Sequence, residues 1–374
     1  MVTIREVTTR KDLKKFVEFP LELYRACQYF VPPLYSDEMK LLGGPVAYRD
    51  VSDTALFLAE RDGEVVGRIQ AIIQHRYNEL HGERRVRFTR FDAIDDKEVS
   101  RALFGAVEAY GAKKGMTVMC GPLGYSDLDR EGLLIEGFDY DSTFEEQYNY
   151  EYYASLVEDA GLTKEIDWLE FRIFAPDVPN EMLPRVASRV LEMNGLHLAD
   201  PKMPKKKYIE KYGDGAFHCI DECYKHLYGT VPFTESMKKE LIDQFLLILN
   251  NEYLIIVCDK DERVVAMGLC FPAIGEALKK SGGRLTPLAL IKLLRLVAKP
   301  KTIDLGLIAV LPEYQNSGLN AVLLGKMYDF LAKGGVEYFE TNLNLETNKE
   351  VMSQWKYFKA LQHKRRRAYV KNID

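Results

Sequence analysis

Cysteine is scarce: six residues scattered over a chain of 374 are too few and too dispersed for a disulfide framework, and they suit reduced thiols. No apolar run reaches the roughly 18 residues that a membrane span needs. The opening stretch, MVTIREVTTRKDLKKF, lacks a hydrophobic signal core, so the expected compartment is the cytoplasm. Basic charge is not in excess either. Lys and Arg number 51 against 56 Asp and Glu, a net charge of −5, which argues against general nucleic-acid binding. Paired metal knuckles are also missing. His218, Cys219, Cys223 and His226 sit in one helix-like segment, where adjacent His218 and Cys219 face different ways, so no metal is expected. What remains is ordinary for a globular protein, 47% hydrophobic and 29% charged, and long enough for two domains with their own cores.

One stretch organises the rest. From Ile303 the residues are apolar at nearly every position (Leu305, Leu307, Ile308, Val310), the pattern of a strand buried on both faces. Leu311 and Pro312 stop it, and Gln315-Asn-Ser-Gly318-Leu-Asn320 makes a polar turn. An apolar helix with Val322, Leu323, Met327, Phe330 and Leu331 at helical spacing runs on to Gly335. Strand, turn and helix aim free backbone N–H groups and a positive dipole end at one point, which suits a pyrophosphate. The same residues also fit a plain helix start in an α/β core that binds nothing.

The turn resembles the acyl-CoA-binding motif of the GNAT acyltransferases, Gln/Arg-x-x-Gly-x-Gly/Ala. Gln315 and Gly318 match it, and Asn320 departs where Gly or Ala is usual. The resemblance implies acetyl-CoA or a longer acyl-CoA as co-substrate. It implies that the backbone of Ile308, Ala309 and Val310 pairs with the pantetheine arm. The amides of Gln315, Asn316, Ser317, Gly318, Leu319 and Asn320 would then hold the pyrophosphate. Asn348, which opens the helix NKEVMSQWKYF, would lie beside the thiol. Trp355 stands where such enzymes often carry a tyrosine acid, and its indole N–H is no acid near neutral pH. Tyr357 is the nearest phenol. Glu340 and Glu346, at or just past the end of the next strand, are the candidate bases, each with a structural alternative such as capping the following helix.

The first half reads in the same element order: a strand from Thr3, a helix from Lys11, a hairpin over 55–73, a strand over 85–92, a helix over 97–114 and a strand over 117–120. A second hairpin over 251–271 precedes the Ile303 strand. Gly105, Ala112, Lys113 and Gly115 recur as Gly325, Ala332, Lys333 and Gly335 at one constant offset, which reads as a duplication. Where the second copy has Gln315-Asn-Ser-Gly318, the first has Asp95-Asp-Lys-Glu98, whose acids repel a pyrophosphate. Only the second half is therefore expected to work. Pro176, Pro179 and Pro184 punctuate the passage between the halves. The segment from Gly121 to Leu162, with Tyr148, Tyr150, Tyr152 and Tyr153 crowded together, joins two later segments in resembling a bacterial family of tandem-GNAT proteins. The tyrosines fit a packed inter-domain seam or an acceptor site.

The expected architecture is α/β with a mixed sheet, two GNAT-like domains in tandem, residues 1–165 and 166–374. The expected activity is acyl-CoA-dependent N-acyl transfer to a small-molecule or lipid-like amine. Two alternatives stay open, a non-catalytic acyl-CoA or ligand-binding protein and a tRNA-dependent aminoacyl-transferase. The apolar helix Leu288–Val297 is read as a helix packed on the sheet, a wall for a long acyl chain, or a surface resting on a membrane. Lys364-Arg-Arg-Arg367, beside a final strand from Ala368, would add an electrostatic anchor or simply face solvent.

Overall fold

Two sets of strands, each read in sequence order, meet in one continuous sheet in this computed structural model, which describes residues 1–177 and 182–373. Pro179 lies outside the described residues. The first half supplies β1 (Thr3–Glu6), β2 (Ser52–Arg61), β3 (Glu64–Gln74), β4 (Arg85–Ala93), β5 (Val118–Gly121), β6 (Leu133–Glu136) and β7 (Thr163–Phe174). Its helices are α1 (Arg10–Leu23), α2 (Tyr35–Gly43), α3 (His75–His81), α4 (Lys97–Lys113) and α5 (Tyr152–Asp159). The second half supplies β8 (His197–Leu198), β9 (Leu254–Cys258), β10 (Val264–Pro272), β11 (Thr302–Val310), β12 (Tyr338–Thr341), β13 (Asn344–Leu345) and β14 (Lys359–Asn372). With them come α6 (Met182–Asn194), α7 (Lys205–Tyr224), α8 (Glu235–Phe245) and α9 (Gly275–Leu278). Then follow α10 (Pro287–Ala298), α11 (Leu319–Ala332) and α12 (Lys349–Gln354).

The strand order is β1-β2-β3-β4-β5-β14-β7-β12-β11-β10-β9-β8, which reads alike from either end. The parallel pairs β4–β5 and β11–β12 hold equivalent places, and α4 and α11 follow equivalent strands. Gly115 and Gly335 close those two helices with positive φ, 77° and 100°. At the centre the halves exchange strands. β7 comes at the end of the first half yet pairs with β12 of the second, and β14 ends the chain yet pairs with β5. A division between residues 165 and 166 falls inside β7.

Local chemistry accounts for the elements. The β2–β3 turn is Asp62-Gly63, both at positive φ (53° and 87°), the geometry of a two-residue hairpin whose twist matches its strands. Asp96 caps α4 by accepting from the amide of Glu98, and its carboxylate also holds Arg61 at 2.8 Å. Tyr148 and Tyr153 lie in the core of the first half, where the Tyr24 hydroxyl donates to Asp92 at 2.8 Å.

One expectation is overturned. The run Lys364–Arg367 lies inside β14, which begins at Lys359 rather than near Ala368. Lys364 and Arg366 are buried, Lys364 on Glu170 (3.2 Å) and Glu340 (2.7 Å), Arg366 on Glu170 (2.7 Å). Arg367 pairs with Asp167 at 2.8 Å. The run is a seam of the central sheet, not a membrane anchor, because burying each cation demanded a carboxylate from β7 or β12.

Candidate active site

The strand β11 carries the irregularity on which the site is built. Its register with β10 passes from Leu269↔Leu307 to Cys270↔Leu305, so Gly306 bulges out of the ladder. A Cβ at Gly306 would come within 3.1 Å of the Leu269 carbonyl and of the Phe271 ring, which is why glycine sits there. On the other edge, pairing with β12 stops at Leu305↔Thr341. From Leu307 to Val310 the strand therefore shows an edge that no strand covers. Its polar groups are met by α7 and the turn instead. The Ile308 amide donates to the Tyr224 hydroxyl at 3.2 Å, and that hydroxyl donates to the Ile308 carbonyl at 3.1 Å. Val310 O accepts from the side chains of Cys223 and Gln315, both at 3.1 Å.

Beyond that edge the turn takes the shape expected of it. Asn316 and Gly318 are left-handed, φ 65° and 88°. A Cβ at Gly318 would meet Val190 of α6 at 2.9 Å, so conformation and space both call for glycine. No side chain caps the amides that open α11. Leu319 is buried, whereas Asn320 is exposed at the helix start. The Ser317 hydroxyl donates to Tyr314 O at 2.6 Å, leaving backbone rather than side chains facing outward.

At the bulge, a cavity of about 130 Å³ opens between the sheet and the helices α7 and α8. Tyr208, Tyr212 and Ala216 line it from one face of α7, Leu241 and Phe245 from α8, and Met267, Leu269 and Phe271 from β10. Gly306, Leu307 and Asn342 border it at the splayed strands, and Asp127, Asp129, Glu145 and Glu146 border it from the irregular segment between β5 and α5. The cavity is thus apolar along the helices and acidic where the first half leans over.

Burial shapes these acids. It pushes the Glu145 carboxyl up to about 8, with the negative charges of Asp304 and Glu146 adding to the effect. It pushes Glu146 up to about 7, Asp127 to about 6, and Asp304, next to Glu340, to about 8. Glu146 Oε2 is buried without a hydrogen-bond partner among the described residues, its nearest cation being Arg366 at 4.0 Å. Carboxyls whose pKa values burial raises toward neutrality therefore border the polar end of the cavity, a setting that accommodates an amine.

The expected catalytic residues lie elsewhere. Glu340 is clamped by Lys364, His363 and Arg172; burial alone would raise its pKa, but the Lys364 and His363 charges hold it at about 2. Glu346 bonds Lys164 and the Asp167 amide, and Tyr357 is 43% exposed beside Lys356. None of the three lines the cavity. Asn348 caps α12 by accepting from the Val351 amide at 3.2 Å. Trp355 is buried in the core with Ile303 and Phe339. Sequence reading missed Glu145 and Glu146; their signal is two adjacent acids inside an aromatic, glycine-marked segment. It also offered α10 as a wall for an acyl chain; the helices that line this cavity are α7 and α8. Cys219 is buried and Cys223 faces Val310, so their helical stripe is packing. A different trio, His197, Cys258 and Glu262, brings its ligand atoms within 4.8 Å, with Glu262 also paired to Lys211.

The acetyltransferase (GNAT) family profile matches residues 217–353, the span that holds the bulged strand, the turn and α11. That span carries a GNAT-like acetyltransferase domain, and the whole chain has the fold of a tandem GNAT protein. Its sequence is 29% identical to Protein YghO of Escherichia coli K12, over 99% of this chain and 95% of that one. It is 26% identical to the bacterial ceramide synthase of Caulobacter vibrioides, over 93% and 91% of the two chains. In fold it is similar to a tandem GNAT protein from the clavulanic acid biosynthesis pathway, with TM-score 0.57 and 12% identity, covering 100% of this chain and 99% of that one. GNAT proteins use acetyl-CoA or acyl-CoA. Among the described residues no helix is long and apolar enough to cross a membrane.

Proposed function

We propose that the protein moves a long acyl group from an acyl-CoA to the nitrogen of a lipid-like amine, in its second half. The observation that carries this reading is the cavity, apolar along α7 and α8, acidic at the other end, and opening at the Gly306 bulge. Similarity to a protein named a ceramide synthase supports it, since ceramide is by definition an amide of a long-chain amine.

The residues present fit such a donor. The uncapped start of α11 and the left-handed Gly318 offer backbone amides to a pyrophosphate. The edge from Leu307 to Val310, roughly 13 Å long at about 3.3 Å per residue, leads from there to the cavity and offers backbone pairing to the arm. The bound thioester supplies an activated acyl carbon. Glu145, with Glu146 beside it, binds the amine and takes its proton, the task for which a carboxyl near pH 7 to 8 is matched. Tyr224, kept protonated by burial, is the hydroxyl set along the strand edge to return a proton to the leaving sulfur, a task Trp355 cannot do. The apolar helices exclude water and hold the tail.

The test is incubation of the purified protein with palmitoyl-CoA and a long-chain amino alcohol, following thiol release and the amide by mass spectrometry. Amide formation that Glu145→Gln reduces at least a hundredfold is expected. CoA binding without thiol release, for any amine tried, would instead support a ligand-binding protein, the reading that Asn320 and Trp355 favour.

A further inference from the structure

Helix α10 is apolar on both faces. Ala289 and Leu293 are buried, and Leu293 packs in one core cluster with Phe245 and Leu249 of the cavity wall. On the opposite face Leu288 is 81% exposed and Ile291 and Leu294 are each 48% exposed, with Leu285 just before them also bare. A helix apolar all round is ordinarily covered all round. Here one face is covered by protein and the other by nothing among the described residues.

The stretch that carries this face bears charge of one sign. From Ala277 to Ile303 there is no Asp or Glu, while Lys279, Lys280, Arg284, Lys292, Arg295, Lys299 and Lys301 all fall within it, in a chain whose net charge is −5. Lys279, Arg284 and Lys292 are neutralised by Asp141, Glu18 and Glu276. Lys280, Arg295, Lys299 and Lys301 are exposed and, among the described residues, have no carboxylate within ion-pair distance. Exposed leucines ringed by unpaired cations on a helix lying flat on the surface match the boundary of an anionic bilayer, where side chains of both kinds find partners. A second protein copy would have to supply an acidic apolar groove, and the charge pattern does not repeat with opposite sign elsewhere on α10.

We infer that the α10 face, Leu285 to Lys301, docks this protein on an anionic phospholipid surface. The cavity wall lies directly behind that face, so a substrate held in the bilayer would meet the protein beside its binding site. The inference does not depend on the acyl-transfer reading, because its readout is binding to lipid.

The experiment is co-sedimentation of the full chain with vesicles of phosphatidylglycerol and phosphatidylcholine, and with phosphatidylcholine alone. Binding to the anionic vesicles only, weakened by 0.5 M salt on the order of tenfold, is expected. Leu288→Asp with Ile291→Asp, at positions exposed enough to leave folding intact, should abolish it. Arg295→Glu, Lys299→Glu and Lys301→Glu together should weaken it on the order of a hundredfold or more. Thermal melts of the variants check that they fold. Failure to pellet with anionic vesicles, equal pelleting with both vesicle types, or unchanged binding by the Asp variant would overturn the inference. So would a concentration-dependent dimer that the Asp variant dissociates without any lipid binding.

Discussion

The hydroxyl of Tyr224 sits on both polar groups of Ile308, accepting from its amide at 3.2 Å and donating to its carbonyl at 3.1 Å. Those two groups belong to the stretch of β11 left uncovered when pairing with β12 ends at Leu305. A side-chain hydroxyl thus stands in for the neighbouring strand. A pantetheine arm pairing with the same edge would take its place and leave it close to the thioester.

Tyr224→Phe separates binding from turnover. The free protein loses two hydrogen bonds at a half-buried edge, costing about 1 kcal/mol of stability. Because a bound arm would restore those bonds, CoA affinity should hold or rise by up to about fivefold. The rate kcat should fall on the order of a hundredfold as the proton donor is lost. Calorimetry with CoA and steady-state kinetics check both. A weakened CoA affinity with kcat intact would show that Tyr224 holds the ligand rather than the proton.

The turn can be tested against its counterpart in the first half. CoA at about 100 times its dissociation constant should add roughly 2.7 kcal/mol of stability. Gly318→Asp places a carboxylate at the helix start, at φ 88° and with its Cβ against Val190, and should abolish that thermal shift. Asp96→Ala should cost about 1 kcal/mol through loss of the α4 cap and leave the shift unchanged. Equal loss from both variants would mean that both halves bind.

Much of the frame was legible because it is local. The strand at Ile303, its turn and α11 announce themselves through apolar periodicity and one glycine, and the two halves repeat that grammar. β14 was not legible: Lys364 and Arg366 look solvent-facing until Glu170 and Glu340, from β7 and β12, are brought against them. Pattern reading has no access to a carboxylate that far along the chain. The acids Glu145 and Glu146 were hidden for a related reason, since their segment has no period and is placed only by folding over the second half. The stripe Tyr208, Tyr212, Ala216 on α7 carried a readable signal for a buried face, but not for the space beside it.

That central seam makes the protein sensitive to loss of one cation. Lys364→Met leaves Glu170 to Arg366 and Glu340 to Arg172 and His363, removing one buried cation from the network, and should cost about 3 kcal/mol in urea unfolding. Acid has a related effect. The Glu340 pKa falls from 4.5 to about 2 on folding, so the stability it contributes is complete above pH 4.5 and disappears as pH drops through about 2. Lys364→Met should shrink this acid-dependent part, and an unchanged acid limb would show that Glu340 draws its partner elsewhere.

Glu145 has the opposite sign. Its pKa rises from 4.5 to about 8 on folding, so the folded state binds the extra proton and stability falls as pH climbs between those values. Glu145→Gln should reduce the slope between pH 5 and 8 by one group's share, leaving what Glu146, Asp127 and Asp304 contribute. Activity should move the other way in the wild type, rising with an apparent pKa near 8 as the base is freed, and that rise should be absent from the residual activity of the variant. Stability and rate measured across the same pH range check the pair, and a Gln variant with the wild-type pH–rate profile would remove Glu145 from the role of base.

The last prediction uses the empty space itself. Gly213 lies on α7 at the cavity, where an added Cβ meets only Ile209, at 3.7 Å. Gly213→Leu should therefore be accepted and, by replacing a mid-helix glycine, should stabilise the protein by roughly 0.8 kcal/mol. It would also occupy the volume in which an acyl tail is proposed to lie. In the wild type, each buried methylene is worth about 0.8 kcal/mol, so four of them give long-chain acyl-CoA an advantage of about two orders of magnitude over acetyl-CoA. The Leu variant should lose that preference while binding acetyl-CoA as before, a gain in stability joined to a loss of selectivity that simple unfolding cannot imitate. Leu294→Asp, on the bare face of α10, should leave the series unaltered. Calorimetry with acetyl-, octanoyl- and palmitoyl-CoA on all three proteins decides it, and a flat wild-type series would mean that the cavity holds something other than an acyl chain.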